Sequence, residues 1–171
     1  MNELRNLLEG KGIEIAKEAF DRTVLYGKFL CLLHVTDAYI CIPALGYGPS
    51  MLLTLSLTGD LVLWEKISPR LGKVNNGDIV SVRSPENPKE SLTKRILGME
   101  GDNVTYLVDP QNSEECRTIM VPKGHIWIQG DNIYNSQDSR QFGPVPYGLI
   151  QGKVFCRIWP ISGFGSLGKE V

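Results

Sequence analysis

Apolar residues recur with two different periods along this chain. From Asn2 to about Val35, Leu4, Leu7, Leu8, Ile15 and Ala19 fall at helical spacing. That pattern predicts a helical segment, with Gly10 and Gly12 breaking the run. After Asp37 the period shortens to two. The runs YICIPAL, DLVLWEKI, DIVSVRS, LTKRILG, NVTYLVD, RTIMVP, HIWIQG and KVFCRIW alternate with the turn-rich clusters NNGD, SPENPKE, MEGD, DPQNSEE and NIYNSQDSRQFGP. Short strands punctuated by Gly, Pro, Asn and Asp predict a mainly β, antiparallel domain of sandwich or partly closed barrel type. The expected organisation is a helical segment over residues 1–36 and a β-rich domain over 37–171.

The N-terminal segment raises the question of a membrane span. Between Val24 and Leu45 the chain is apolar, but Lys28, His34 and Asp37 interrupt it. Its uncharged stretch runs for about eight residues, against the ~20 that cross a bilayer. The longer uncharged run from Ala38 contains Pro43, Pro49 and several glycines, so it is not a helix. Residue physics alone therefore reads this region as buried or interfacial.

Composition narrows the class. A length of 171 residues with 42% apolar content suffices for one packed domain, and 18 Gly with 10 Pro favour strands and turns over long helices. A net charge of −1 leaves no electrostatic footprint for nucleic acid. Glu3, Glu9 and Glu14 argue against an acid-poor transit peptide. Cys31, Cys41, Cys116 and Cys156 form no CxxC pair, and His34 and His125 lie far apart, so neither metal nor cofactor is expected. The thiols read as mostly buried and free, with an inter-strand disulfide left open.

Two residues stand out as candidate chemistry. In Leu92-Thr93-Lys94-Arg95-Ile96-Leu97 a period of two places Lys94 between Leu92 and Ile96 on one face. If that face is buried, desolvation lowers the ammonium pKa from ~10.4 towards ~7, and a neutral amine is what a general base requires. The commoner fate of such a lysine is to snorkel from an edge strand into water. Ser50, in GYGPSM, would ordinarily be a turn serine. Neither histidine sits in a nucleophile-elbow context and no GxSxG occurs, so a serine hydrolase built on this chain would use lysine as its base.

Four blocks in order carry a family resemblance. They are Gly48-Pro49-Ser50-Met51; Gly77-Asp78-Ile79-Val80; Lys94-Arg95-Ile96-Leu97-Gly98 followed by Gly101-Asp102; and Gly130-Asp131-Asn132 with Asn135-Ser136-Gln137-Asp138-Ser139-Arg140 and Gly143-Pro144-Val145. Over residues 20 to 165 the chain resembles the type I signal peptidase family. The segments SPENP and VPYGLIQGKV make it most similar to the subunit 1 type of the mitochondrial inner membrane branch, in its plant form.

The resemblance implies a signal-peptidase-type β fold and a Ser–Lys dyad. Ser50 would be the nucleophile, with its backbone N–H serving the oxyanion, and Lys94 the base. Ser136 matches the position whose hydroxyl orients the lysine, and Asp138 and Arg140 match a structural ion pair. An i, i+2 spacing puts that pair on one side if the stretch is extended. Asp131 and Asn132 read as turn residues bonded to their own backbone. The loop has the look of a calcium loop but lacks EF-hand spacing, so a metal is discounted. Gly48 stands where many relatives carry a second oxyanion hydroxyl.

The same resemblance implies an endopeptidase that removes N-terminal targeting peptides from precursor proteins. The peptide would lie as an extended strand along Tyr39 to Tyr47, with Asp78 to Arg83 as a candidate for the other wall. It further implies an anchor at about residues 20–36 in the mitochondrial inner membrane, a catalytic domain facing the intermembrane space, and a second homologous subunit as partner. One departure matters. The family reads Ser-Met-x-Pro-Thr where this chain has Ser50-Met51-Leu52-Leu53-Thr54. Leu53 therefore keeps open an alternative, a weakened or inactive homologue that binds peptides or scaffolds an active subunit, and restoring proline is expected to raise turnover. A self-cleaving repressor would need an N-terminal helix-turn-helix, which the first 35 residues do not supply.

Overall fold

The computed structural model describes residues 2–112 and 115–167, with side chains from residue 11 onward. The chain divides into two compact units, Met1–Tyr39 and Ile40–Val171.

The first unit is a helix, α1 (Asn2–Val35), which passes into a π-helical turn over Thr36–Ile40. Gly10 and Gly12 do not break it as the sequence suggests. Glycine costs a helix only about 1 kcal/mol, and flanking Glu, Lys and Ala are good helix formers. Among the described residues no helix is long and apolar enough to cross a membrane. Residues 20–36, expected from the resemblance as an anchor, lie in α1 and the start of the turn after it. Asp21, Arg22 and Lys28 are spaced through the apolar residues, so no sufficiently long window is free of charge.

The second unit is built on one eight-stranded antiparallel sheet. Its strands are β1 (Cys41–Gly46), β2 (Asp60–Glu65), β3 (Ile79–Arg83), β4 (Ser91–Gly98), β7 (His125–Gln129), β8 (Val145–Pro146), β9 (Ile150–Trp159) and β10 (Gly165–Ser166). The order is β1-β2-β9-β3-β4-β7-β8, with β10 on β9. The end strands β1 and β8 are not joined, so the sheet is open. Register shifts in the β2–β9, β3–β9 and β4–β7 pairs bend it. A separate ribbon pairs β5 (Asn103–Leu107) with β6 (Cys116–Met120). All eight runs read from the sequence form strands. The two-residue strands β8 and β10 and the single-turn helices α2 (Ile67–Arg70) and α3 (Ser139–Phe142) gave no periodic signal.

Three apolar clusters hold these elements together. Val80, Val82, Ile96, Ile126, Ile128 and Val145 join β3, β4, β7 and β8. Met51 and Leu55, from the β1–β2 connection, pack with Val62, Ile79 and Val154. Val104, Val121 and Trp127 seat the ribbon on the sheet, with the Tyr106 and Trp127 ring centroids 4.7 Å apart. The cysteines are free, and none is buried: Cys31 and Cys116 are exposed, Cys41 and Cys156 half-buried. The expectation of buried thiols fails because these positions fall on the helix surface and on strand faces turned away from the clusters.

Gly98 makes the ribbon's close approach possible. A Cβ there would lie 2.4 Å from Val104 Cγ2 and 3.2 Å from Val121 Cγ2. Gly98→Ala is expected to cost about 1–3 kcal/mol by overpacking. Urea denaturation should show the loss, and Val104→Ala in the same chain should restore most of it by opening the contact.

Candidate active site

Ser50 lies in the connection between β1 and β2, whose ends are brought together by the Gly46↔Asp60 pair. The chain leaves β1 through Gly48, at φ 108°, a conformation that favours glycine, and turns once through Pro49–Met51. Met51 and Leu55 are then driven into the core, and Leu55 N–H donates to Met51 O at 2.7 Å. These two anchors leave Ser50 half-buried at the surface of the turn.

Charged groups fasten the rest of this connection. Asp60, wholly buried, accepts from Ser56 N–H at 3.0 Å and faces Arg157 of β9 at 3.3 Å. Arg157 also donates to the Thr54 carbonyl. From the far side, Arg95 grips Asp131 with two bonds of 2.8 Å, donates to Thr54 Oγ1 at 3.1 Å and to Gly77 O at 2.9 Å, while Thr54 Oγ1 donates to Asp131. Asn132 closes the clamp: its N–H donates to Ser50 O and its Nδ2 to Pro49 O, both at 3.0 Å. The reading of Asp131 as a turn residue bonded to its own backbone is thus corrected. It is a long-range partner of the Ser50 loop. Asn132 does both, since its Oδ1 also accepts from Tyr134 N–H at 3.2 Å.

Lys94 occupies the buried face of β4 beside Ile96 and is 2% exposed. Arg95, one residue on, points to the opposite face. Burial lowers the Lys94 pKa from 10.5 to about 8. Asp138 acts against this, Arg140 adds to it, and Asp131 opposes it weakly.

The loop after β7 supplies these neighbours. Asp138 caps the short helix α3: its side chain accepts from Arg140 N–H, and Gln141 Oε1 accepts from the Asp138 N–H in a capping box. Arg140 Nε and Nη2 each reach the carboxylate at 2.9 Å, Gly130 N–H at 3.0 Å and Ser136 Oγ at 2.7 Å. Burial alone would raise the Asp138 pKa, but the Arg140, Gly130 and Ser136 bonds outweigh it and hold the carboxyl below its usual range. The ion pair expected from i, i+2 spacing is present, but through a helix cap and not an extended stretch. Gly130 is the close-packing point of the site. A Cβ there would meet Ser136 Oγ at 2.3 Å and Ser50 O at 2.4 Å. The structure thereby brings Ser50, Ser136, Asp131, Asn132, Asp138, Arg140 and Lys94 into one neighbourhood.

Ser50 and Lys94 line one cleft of about 430 Å³. Leu45, Gly46, Tyr47 and Gly48 form one wall, and Lys89 to Thr93 the other. Both walls are free strand edges. β1 pairs only with β2, and β7 pairs with β4 only from Arg95 onward, leaving Ser91–Lys94 unmatched on that side. The wall assigned to Asp78–Arg83 is corrected: β3 is paired on both sides, to β4 and β9, and offers no edge.

Sequence reasoning missed Thr54, Arg95 and Gly130. Arg95 was visible as the opposite-face neighbour of Lys94, but its partner lies 36 residues away. Leu53 brings another correction. It is 92% exposed and adopts φ 99°, whereas proline is fixed near −65°. The backbone here is not one that proline could share, so restoring proline would not tighten this loop.

Comparison with known proteins places this geometry in context. The family described as signal peptidase, peptidase S26 matches residues 21–110 and 107–159. The mitochondrial ATP-independent inner membrane protease subunit 1a of Arabidopsis thaliana is 58% identical over 152 residues, covering 89% of this chain and 90% of that protein. The mitochondrial inner membrane protease subunit 1 of Mus musculus is 40% identical, covering 96% and 92%. The subunit 2 protein of Danio rerio is 43% identical, covering 67% and 62%.

Two stability predictions follow from these contacts. Holding the Lys94 charge in place, from 10.5 down to about 8, corresponds to a cost on the order of 3 kcal/mol. Below pH 8 the lysine is charged in both folded and unfolded chains, so this cost is fully present. Between pH 8 and 10.5 only the unfolded chain holds the proton, and stability recovers as pH rises. Lys94→Met should therefore raise the denaturation midpoint below pH 8, with the gain fading towards pH 10.5. At Leu53, the glycine variant should stabilise by about 1 kcal/mol through relief of the left-handed backbone. Leu53→Pro should lose more than that in chemical denaturation, because Thr54 is pulled from Asp131.

Proposed function

Since this chain belongs to the peptidase S26 signal peptidase family and is a serine peptidase, we propose that Ser50 and Lys94 are its Ser–Lys dyad. The observation that carries this reading is a lysine buried on a strand face with its pKa lowered to about 8, lining the same cleft as an anchored loop serine. At pH 7 roughly a tenth of such a lysine is neutral, against well under a thousandth at an ordinary pKa.

The chemistry proceeds through an acyl-enzyme. Neutral Lys94 Nζ takes the proton from Ser50 Oγ as the oxygen attacks the scissile carbonyl carbon. The oxyanion faces the Ser50 backbone N–H; Gly48 offers no hydroxyl there, and its φ of 108° disfavours a side chain that could. The Lys94 ammonium then gives its proton to the leaving amine as the C–N bond breaks. Water, deprotonated by Lys94, attacks the ester carbonyl, and the Lys94 ammonium returns that proton to Ser50 Oγ as the acyl C–O bond breaks. The Ser136 hydroxyl, directed by Asp138, turns its lone pairs to the ammonium and fixes its orientation. Asp131 and Asn132 position the nucleophile loop without touching substrate. Arg140 holds Asp138 anionic.

An extended peptide fits between the free edges of β1 and β4, and this supports cleavage of N-terminal targeting peptides from precursor proteins. Residues 37–171 would form the peptidase domain. The relatives are named as inner membrane protease subunits 1 and 2 of mitochondria. By that likeness the chain would work at the mitochondrial inner membrane, with its catalytic domain facing the intermembrane space, beside a second homologous subunit. The strained Leu53 beside the nucleophile favours one other reading, a weakened copy that binds peptides for an active partner.

Precursor-peptide cleavage by the full chain in detergent decides between them. Ser50→Ala and Lys94→Met should each lower kcat by at least a thousandfold. The wild-type rate should rise with pH and level off above about 8, since the neutral amine is the competent form. A wild type no faster than Ser50→Ala would leave only the peptide-binding reading, and activity that survives Lys94→Met would remove the dyad.

A further inference from the structure

A second hollow, apart from the peptide cleft, is lined by an unpaired buried donor and by a guanidinium. It lies between the β5–β6 ribbon and the loop after β7 and has a volume of about 230 Å³. Tyr106, Leu107, Pro110 and Ile133 provide apolar walls, while Gln129 and Arg140 provide polar groups. Gln129 is 8% exposed, and its side-chain Nε2 has no acceptor among the described residues. Trp127, two residues earlier on the same face of β7, buries an indole N–H that likewise lacks one. The bonds of Arg140 to Asp138 and to Ile133 O involve three of its N–H groups, from a guanidinium that carries five. No carboxylate lines the hollow among the described residues. A buried donor without an acceptor is costly, and a bound acceptor removes that cost.

We propose that this hollow is a second binding site, for a carboxylate-bearing ligand held by the Gln129 amide and the Arg140 guanidinium with its apolar part against Tyr106 and Ile133. Asp138 already matches the charge of Arg140, so what the guanidinium offers is its remaining N–H donors, to which an anionic carboxylate is a stronger acceptor than a neutral carbonyl. The volume accommodates a small branched acid or the terminal residue of a peptide. Arg140 is also the residue that grips Asp138, and Asp138 holds Ser136 and faces Lys94. Occupancy therefore bears on the catalytic loop from behind. The binding claim itself does not depend on the dyad reading.

Cys116, exposed and lining the same hollow, reports occupancy. The test is alkylation of the full chain by iodoacetamide, followed by peptide mass mapping, with exposed Cys31 as the internal reference. The probes are isovalerate, the free-acid tripeptide Ala-Ala-Leu and its C-terminal amide. Saturating free acid should slow Cys116 labelling at least tenfold and leave Cys31 unchanged, the amide should not protect, and Gln129→Leu should weaken protection about tenfold. Protection by both acids supports a small-molecule ligand, and protection by the tripeptide alone supports a chain terminus. Equal protection by acid and amide, protection by neither, or full protection in a folded Gln129→Leu overturns the proposal. Should Gln129→Leu not fold, the acid–amide contrast in the wild type decides alone.

Discussion

An ammonium group held at 2% exposure on the inner face of a sheet is the constraint around which this unit is arranged. Water would solvate that charge far better than Ile96 and the neighbouring strand can. Two outcomes are available to a lysine so placed: full pairing with a carboxylate, which restores its ordinary pKa, or partial neutralisation. The loop after β7 keeps the balance between them. Asp138 is the anion that pulls most strongly on Lys94, but its oxygens are already occupied by Arg140, Gly130 and Ser136. The Arg140 cation beside it offsets much of its pull on Lys94. The lysine is left neutral in a large enough fraction to act as a base.

The serine side of the site is governed by the opposite need. A loop that presents a hydroxyl to a peptide cannot itself be buried, so it is fixed from its ends and from behind. Met51 and Leu55 anchor it in the core, Asp60 and Arg157 hold it from β2 and β9, and the Arg95–Asp131–Thr54 group with Asn132 holds it from β4 and the loop after β7. Gly130 lets that loop close to within contact of the Ser50 carbonyl. The nucleophile and the residues around the base are thus parts of one packed surface. A displacement of an ångström in either would be expected to cost about a hundredfold in rate.

Much of this was legible because it depends on local pattern. Period-two runs marked every strand of five residues or more, and Lys94 between Leu92 and Ile96 announced an odd position within a single strand. What stayed hidden depends on contacts far apart in the chain. Asp131 looked like a turn residue because Thr54, 77 residues away, carries no sign of it. The Asp138–Arg140 pair was legible, but the helix cap that creates it was not, since α3 is a single turn without apolar periodicity. Leu53 misled in another way. A residue type read against a family pattern suggests a missing proline, whereas the backbone here adopts φ 99°, where proline has no place.

The central claim concerns one proton, and it can be observed at its own atom. Lysine side-chain NMR of the full chain, with the Lys94 resonance assigned by its absence in Lys94→Met, follows the amine through pH 6 to 11. The account predicts that Lys94 titrates near pH 8, and that it does so equally in Ser50→Ala. A Lys94 midpoint at the ordinary value of about 10.4 would contradict it.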